Sequence, residues 1–377
     1  MKKLFFVLIY IIVQNTIAAQ EISFEEYDPP STLKVPETII YYSKFPFIDV
    51  HNHQWRVPQQ NLKLLVKQMD SLNMAVMVNL SGRSYKRVVN PDSTFRYSMN
   101  ELSYLKESIN RVNENVPGRI ITFTNIDFNG IGEAGWIENE LANLEEAVRA
   151  GANGLKIYKS LGMDIKDVYG KRVAVDDTRL DPIWEKCGEL GIPVLIHSAD
   201  PAQFWQAHDK NNERWLELKE KPNRKRDVKD EPSFEQIINE QHNVFRTHAN
   251  TKFINAHLGW LGNDLKKLGD LFDTLPNMFT EIGAVIAELG RQPRFAKEFL
   301  IKYQDRVMFG KDTWEPHEYY LYFRVLETDD DYIKYFRRRH AFWRLYGLDL
   351  PDEVLKKIYY KNALNIIPGI NKSFFPD

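Results

Sequence analysis

The 377-residue chain holds a single cysteine, Cys187, which excludes an intrachain disulfide framework and any Cys-rich zinc or iron–sulfur site. A metal, if bound, must rest on nitrogen and oxygen. An excess of one charge is also missing: 50 basic against 52 acidic residues leave a formal charge of -2, so there is no net field to hold nucleic acid. No glycine-rich phosphate loop follows an early apolar run. Gly130, Gly132 and Gly135 lack the full dinucleotide fingerprint and read as an ordinary loop. Past the first 20 or so positions, no apolar run approaches the roughly 18 residues of a membrane span. What is present, 43% hydrophobic and 13% aromatic residues with 27% charged, is the composition of a folded chain.

The amino-terminal residues read as an address. Lys2 and Lys3 precede an apolar run from Leu4 to Val13 and the small-residue stretch Thr16 to Ala19, the order of a secretory signal peptide. About 10 apolar residues rise only ~15 Å as a helix, half of a ~30 Å hydrocarbon layer. Cleavage near Ala19 is therefore expected, leaving residues 20–377 as one domain, exported to a periplasmic or extracellular space without stable membrane insertion.

From Pro46 onward, short apolar runs alternate with amphipathic stretches. The runs are Pro46 to His53, Met74 to Leu80, Arg119 to Asp127, Gly154 to Tyr158, Pro193 to His197, Lys252 to His257, Asn277 to Ile282 and Arg306 to Gly310. Each is rich in Val, Ile, Phe or Met, as parallel strands covered on both faces require. Eight strand–helix units predict an α/β fold of the (β/α)8 TIM-barrel type. The segment from Ser198 to Thr251 is too long for a simple connection and is expected to form an inserted loop or lid after the fifth strand. Its charge cluster, Lys219 to Asp230, reads as solvated surface, and Arg337-Arg338-Arg339-His340 reads as the solvated basic face of a helix.

Four of the nine histidines fall at the ends of predicted strands: His51 and His53 on the first, His197 on the fifth and His257 on the sixth. Asp312 follows the eighth. In a barrel all these ends share one rim, so residues far apart in sequence converge there. Side chains alternate along a strand, so His51 and His53 point the same way and can reach one ion. Imidazole and carboxylate donors suit Zn2+ or another first-row divalent ion such as Mn2+. His208, His242, His248, His317 and His340 are away from strand ends and read as surface or structural residues.

With FIDVHNH at the first strand, VLIHSADP at the fifth, INAHLGW at the sixth, DRVMFGKDTW at the eighth and a late helix holding Lys361-Asn362-Ala363, the chain resembles the amidohydrolase superfamily. The closer likeness is to the amidohydrolase-2 branch that includes aminocarboxymuconate-semialdehyde decarboxylase. The resemblance implies that His51, His53 and His197 hold the metal, that Asp312 is a further ligand or the proton acceptor, and that His257 acts as acid or base beside it. It also implies one metal, commonly Zn2+; a second metal bridged by a carboxylated Lys156 is the less favoured arrangement. An uncarboxylated Lys156, or its rival Lys159, would pair with an acidic substrate group. Glu281 near the end of the seventh strand would support a ligand or bind a substrate hydroxyl, and Arg291 would clamp a substrate carboxylate. Trp55, Trp260 and Trp314 follow proposed ligands and are candidates for a pocket wall.

The expected activity is metal-dependent hydrolysis, in which activated water opens an ester, lactone or amide bond of a small polar substrate. A non-oxidative decarboxylase or carbon–carbon lyase acting on a small carboxylic acid shares the same ligand set. A ligand-binding protein on a disabled scaffold is the third reading, opposed by the complete set of candidate ligands. Substrate identity and oligomeric state are not legible in the sequence.

Overall fold

In the computed structural model, which describes residues 22–23, 25–89, 95–229, 231–337 and 343–376, the eight apolar runs form eight barrel strands. They are β1 (Phe47–Asn52), β2 (Met74–Asn79), β3 (Ile120–Thr122, resumed at Thr124–Asn125), β4 (Leu155–Ile157), β5 (Val194–Ile196), β6 (Phe253–Asn255), β7 (Met278–Glu281) and β8 (Val307–Met308). Neighbours pair in parallel in sequence order. The signal peptide expected over residues 1–19 and His340 lie outside the described residues.

Two seams close the ring. Within β3, Phe123 interrupts the ladder, yet its N–H donates to Asn79 O (2.9 Å) and the Thr124 N–H to Gly154 O (2.8 Å), so β2 and β4 remain joined through it. The Phe123 ring fills the space beside Gly154, where a Cβ would lie 2.4 Å from the ring. Between β1 and β8, the Val50 N–H donates to Phe309 O (3.0 Å) and the Asp312 N–H to His51 O (2.6 Å), with a parallel bridge between Asn52 and Asp312.

The helices cover this ring by burying one face each. In Asp181–Glu189, Pro182 opens the first turn, and Ile183, Trp184 and Cys187 point inward; Gly191, with φ of 67°, takes the left-handed turn that ends it. The strand interiors and most helix faces form one continuous core, with a small separate cluster of Leu105, Ile109, Ala147 and Ala152 beside it.

Between β2 and the helix Leu102–Asn115, an antiparallel hairpin (Tyr85–Val89 with Phe95–Met99) stands at the carboxyl-end rim. No strand was expected there. After β5 the expected insertion is present: short helical turns at Ala202–Trp205 and Pro222–Arg224 flank a helix at Trp215–Glu220. The segment ends at Phe234–Thr247, an amphipathic helix capped by Ser233, whose side chain accepts from Gln236 N.

The described residues from 35 onward form one compact unit, and those before residue 35 belong to a separate segment. In the latter, the Ser23 carbonyl accepts from the N–H groups of Glu26 and Tyr27. Among the described residues, no helix is long and apolar enough to cross a membrane.

Candidate metal centre

The carboxyl ends of β1, β6, β7 and β8 bring a set of imidazoles and carboxylates into contact. His51 is fully buried, and His53 lies just past β1. Their Nε2 atoms lie 3.4 and 3.6 Å from Asp312 Oδ1. The donors of His51, His53 and Asp312 fall within 4.8 Å of one another, the spacing of groups that share an ion. The donors of a second set, His51, His257 and Glu281, are as closely spaced. The His257 ring stacks on that of His51 at 4.7 Å and meets His197 edge-on at 4.5 Å.

Hydrogen bonds on the far side of each ring fix which nitrogen faces inward. His51 Nδ1 donates to Glu281 Oε1 (2.9 Å), and His257 Nδ1 donates to the Gly283 carbonyl (2.8 Å). Because a carbonyl can only accept, His257 carries its proton on Nδ1 and presents the Nε2 lone pair. His53 Nδ1 is held by Ser81 Oγ (2.7 Å). The Nε2 atoms of His51 and His197 are buried and lack a hydrogen-bond partner among the described residues. A buried imidazole nitrogen without a hydrogen-bond partner, on a ring oriented by a carboxylate as His51 is by Glu281, is what a divalent ion requires of a ligand. The donors of His51, His53 and Asp312 therefore fit a divalent ion, whereas His197 belongs to neither set and meets the cluster through the His257 ring.

Glu281 organises this cluster. Its carboxylate accepts from His51 Nδ1, from His257 N (2.6 Å) and from the Gly283 N–H. Gly310 allows its approach, since a Cβ there would lie 2.2 Å from Glu281 Oε2. Burial alone would push the Glu281 carboxyl up, but His51 and His257 outweigh it and hold the group at about 2. Desolvation likewise works against Asp312, and His51, His257 and His53 together keep it well below the usual carboxylate range. Burial, reinforced by His51, lowers His257 to about 4. His53 and His197 are pushed down by burial as well. At neutral pH His53, His197 and His257 are thus neutral, beside the ionised carboxylates of Asp312 and Glu281.

Backbone strain gathers at the same rim. His257, Leu258 and Trp260 have φ of 59°, 54° and 56°, and Asp312 has 82°, values that cost non-glycine residues about 1–3 kcal/mol each. Two of the four are the candidate acid–base groups.

A cavity of about 630 Å3 opens on the cluster, lined by His197, His257 and Asp312 and roofed in part by Phe204, Arg214 and Arg224 of the insertion. The charge cluster at residues 219–230 is therefore not simply solvated surface. Arg224 pairs with Glu217 (2.5 Å), while Arg226 pairs with Asp200 (2.8 Å) and Glu231. His208 stays outside this wall, its Nε2 at 3.0 Å from Trp215 O.

The other expected residues divide. Lys156 Nζ is buried without a hydrogen-bond partner among the described residues, and burial lowers its ammonium to about 8 against the pull of Asp312 and Glu281. It lines a smaller pocket of about 240 Å3 with Tyr85, Phe128 and Tyr158. Lys159 lines the larger cavity and is taken up by Asp200 (2.5 Å). Arg291 is placed away from the cavity: it pairs with Glu213 (3.0 Å) and lies over the Trp343 ring at 3.6 Å, because the helix Ile286–Gly290 carries it outward before the carboxylate clamp could form. Trp55 stacks on His53 at 5.1 Å, Trp260 packs on His257 at 4.8 Å, and Trp314 packs edge-on against Tyr319 instead.

Sequence reasoning missed Ser81 and Arg337. The position of Ser81 directly after the second apolar run was a usable signal. Arg337 belongs to no described helix and lines the cavity, contrary to the solvated helix face expected for it.

The amidohydrolase family model Amidohydro_2 matches residues 129–368. No curated protein matches the chain. Among solved structures, the chain is similar to a dihydroxybenzoic acid decarboxylase from Polaromonas sp. JS666 with bound manganese and the inhibitor 2-nitroresorcinol. The identity is 13%, the match covers 85% of this chain and 96% of that one, and the TM-score is 0.51. An uncharacterized TIM-barrel protein from Bordetella bronchiseptica matches at 15% identity, with 85% and 97% coverage and a TM-score of 0.49. A 4-oxalomesaconate hydratase from Rhodopseudomonas palustris matches at 14%, with 85% and 95% coverage and a TM-score of 0.48.

Proposed function

The chain belongs to the amidohydrolase family, and from that membership we propose that it is a metal-dependent hydrolase that opens an ester, lactone or amide bond of a small polar substrate. The observation that carries this reading is the fixed tautomer of His257. With its Nδ1 proton committed to Gly283 O, the neutral ring offers an acceptor beside the ionised Asp312. Two acceptors at one centre suit removal of a proton from water, whereas protonation of a substrate carbon calls for a donor.

A divalent ion, Zn2+ by the donor set and Mn2+ as the next choice, would polarise a substrate oxygen and bring the pKa of water to near 7. His51, His53, Asp312 and His197 would hold it. Asp312 Oδ receives the proton of the attacking water. His257 Nε2 takes the second acceptor role and returns a proton to the leaving group. Glu281 keeps His51 and His257 in the orientations both steps need, and Trp260 packs against the rings to limit water access. The signal-like residues 1–19 make export part of the same proposal, checked by sequencing the mature amino terminus after Ala19.

The test combines metal analysis with a reaction screen. Elemental analysis should give about one divalent ion per chain, lost in His51→Ala and His197→Ala. The loaded enzyme is then offered lactones, esters, amides and carboxylated aromatics in 18O-labelled water while carbon dioxide is monitored. Label in the product acid without carbon dioxide supports hydrolysis; carbon dioxide release without label overturns it in favour of decarboxylation.

A further inference from the structure

The wall of the large cavity is rich in cations, and nearly all are matched. Lys159 is held by Asp200, Arg224 by Glu217, and Arg214 by Glu217 and Glu288 at 3.0 and 2.5 Å. Lys221 also has a partner. Arg337 differs. It lines the same cavity as His197, His257 and Asp312, is half-buried, and has no hydrogen bond or ion pair among the described residues. The Phe336 ring lies 5.9 Å from its guanidinium carbon.

The carboxylates whose charge reaches Arg337, Glu318 and Asp312, are committed elsewhere. Glu318 is bonded by Lys311, which also donates to Thr313 Oγ1 at 3.1 Å. Asp312 faces His51 and His53. A guanidinium carries five donors in a planar fork, and withdrawing it from water without an acceptor is unfavourable. Tyr322 and Tyr335, the other groups that act on its charge, are phenols whose acidity burial suppresses, so neither supplies an anion. The cavity therefore contains a partly desolvated cation with an unfilled, two-pronged donor face, beyond ion-pair distance of Asp312.

We propose that Arg337 anchors a carboxylate of the substrate at a position separate from the reacting bond, so that the enzyme takes organic acids whose carboxylate is a handle and not the group transformed. The inference rests on the assignment of the cavity as the substrate site of the hydrolase described above. It also replaces Arg291, which the fold carries away, with a residue whose surroundings match that role. Arginine is suited to it because a planar fork meets a planar carboxylate through two hydrogen bonds, a match that an ammonium cannot make.

The test uses the metal-loaded full chain with glutarate as probe and glutaramide as its neutral counterpart, by titration calorimetry. Wild type should bind glutarate about 10-fold or more tightly than glutaramide. Arg337→Gln should bring the ratio close to one with metal content and thermal midpoint unchanged, and Arg337→Lys should restore part of it. Equal affinity of wild type for both probes overturns the assignment. So does a preference that survives Arg337→Gln, because the acid is then held by the metal or another cation. If Arg337→Gln does not fold, Arg337→Lys decides: an undiminished preference overturns the two-pronged anchor. Failure of the hydrolase reading is separately visible, since a chain that binds no metal but keeps an Arg337-dependent preference loses the reaction and retains the anchor.

Discussion

At the scale of single residues, Glu281 decides how the centre is set. One carboxylate fixes His51 through Nδ1, grips the backbone of His257 and turns the chain at Gly283. Glu281→Gln cannot keep this arrangement, because an amide offers one acceptor oxygen where the carboxylate offers two. Metal affinity should weaken by roughly 10–100-fold, read by competition with a chelating dye, while far-UV circular dichroism stays unchanged; undiminished affinity would show that His51 needs no such support. The same residue leaves a mark on acid stability. Its carboxyl falls from the ordinary 4.5 to about 2 in the folded chain, so the unfolded chain binds the proton more readily. The stabilisation is present above about pH 4.5 and disappears as pH falls toward 2. In metal-free protein, urea midpoints measured across that window should decline less steeply for Glu281→Gln than for wild type.

At the scale of elements, the strands and the place of the insertion were readable and the contacts that hold the insertion were not, for physical reasons. A strand buried on both faces must be apolar along its length, so eight short runs of Val, Ile, Phe and Met show in the sequence directly. The rim histidines were legible with them, because a barrel turns strand ends into neighbours. The insertion is held by pairs between residues far apart, such as Arg214 with Glu288 on the helix after β7 and Arg226 with Asp200. Such pairs leave no local periodicity, and a run of charges looks the same facing solvent or facing a cavity. The misplacement of Arg291 has the same origin, since its direction depends on how one short helix leaves β7. The Arg214 pairs make a prediction at this scale. Both partners are nearly buried, and breaking such a pair leaves an uncompensated charge, typically at a cost of about 3–5 kcal/mol. Arg214→Ala should therefore free the insertion from the barrel. Limited trypsin digestion should cut first within residues 198–233, sooner than in wild type, with the barrel fragment intact; an unaltered digestion pattern would mean that other contacts suffice to hold the insertion.

At the scale of the whole molecule, the candidate metal centre lies on the seam that closes the barrel. The seam joins the first strand to the last, and its hydrogen bonds run through His51 and Asp312 themselves. Asp49 reinforces it: Oδ1 accepts from the N–H groups of His51 and Lys311 (both 3.1 Å), and Oδ2 accepts from Asn52 Nδ2 (2.8 Å) and Tyr319 Oη (2.6 Å). Burial raises the Asp49 carboxyl to about 6 against the bonds from Tyr319 and Asn52, so at neutral pH it is ionised and accepts all four. A metal held across this seam would act as a clasp between the two ends of the barrel, and binding would be coupled to global stability. Asp49→Ala leaves buried donors without acceptors and should lower stability by roughly 3 kcal/mol or more. Chelation should lower the wild-type melting midpoint as well, since an ion at 1,000 times its dissociation constant contributes about 4 kcal/mol. The two effects belong to one seam and should not be independent: Asp49→Ala should bind the ion more weakly, so that chelator shifts its midpoint less than it shifts that of wild type. Equal chelator shifts in both proteins would separate the clasp from the closure and show that the ion is held by the rim alone.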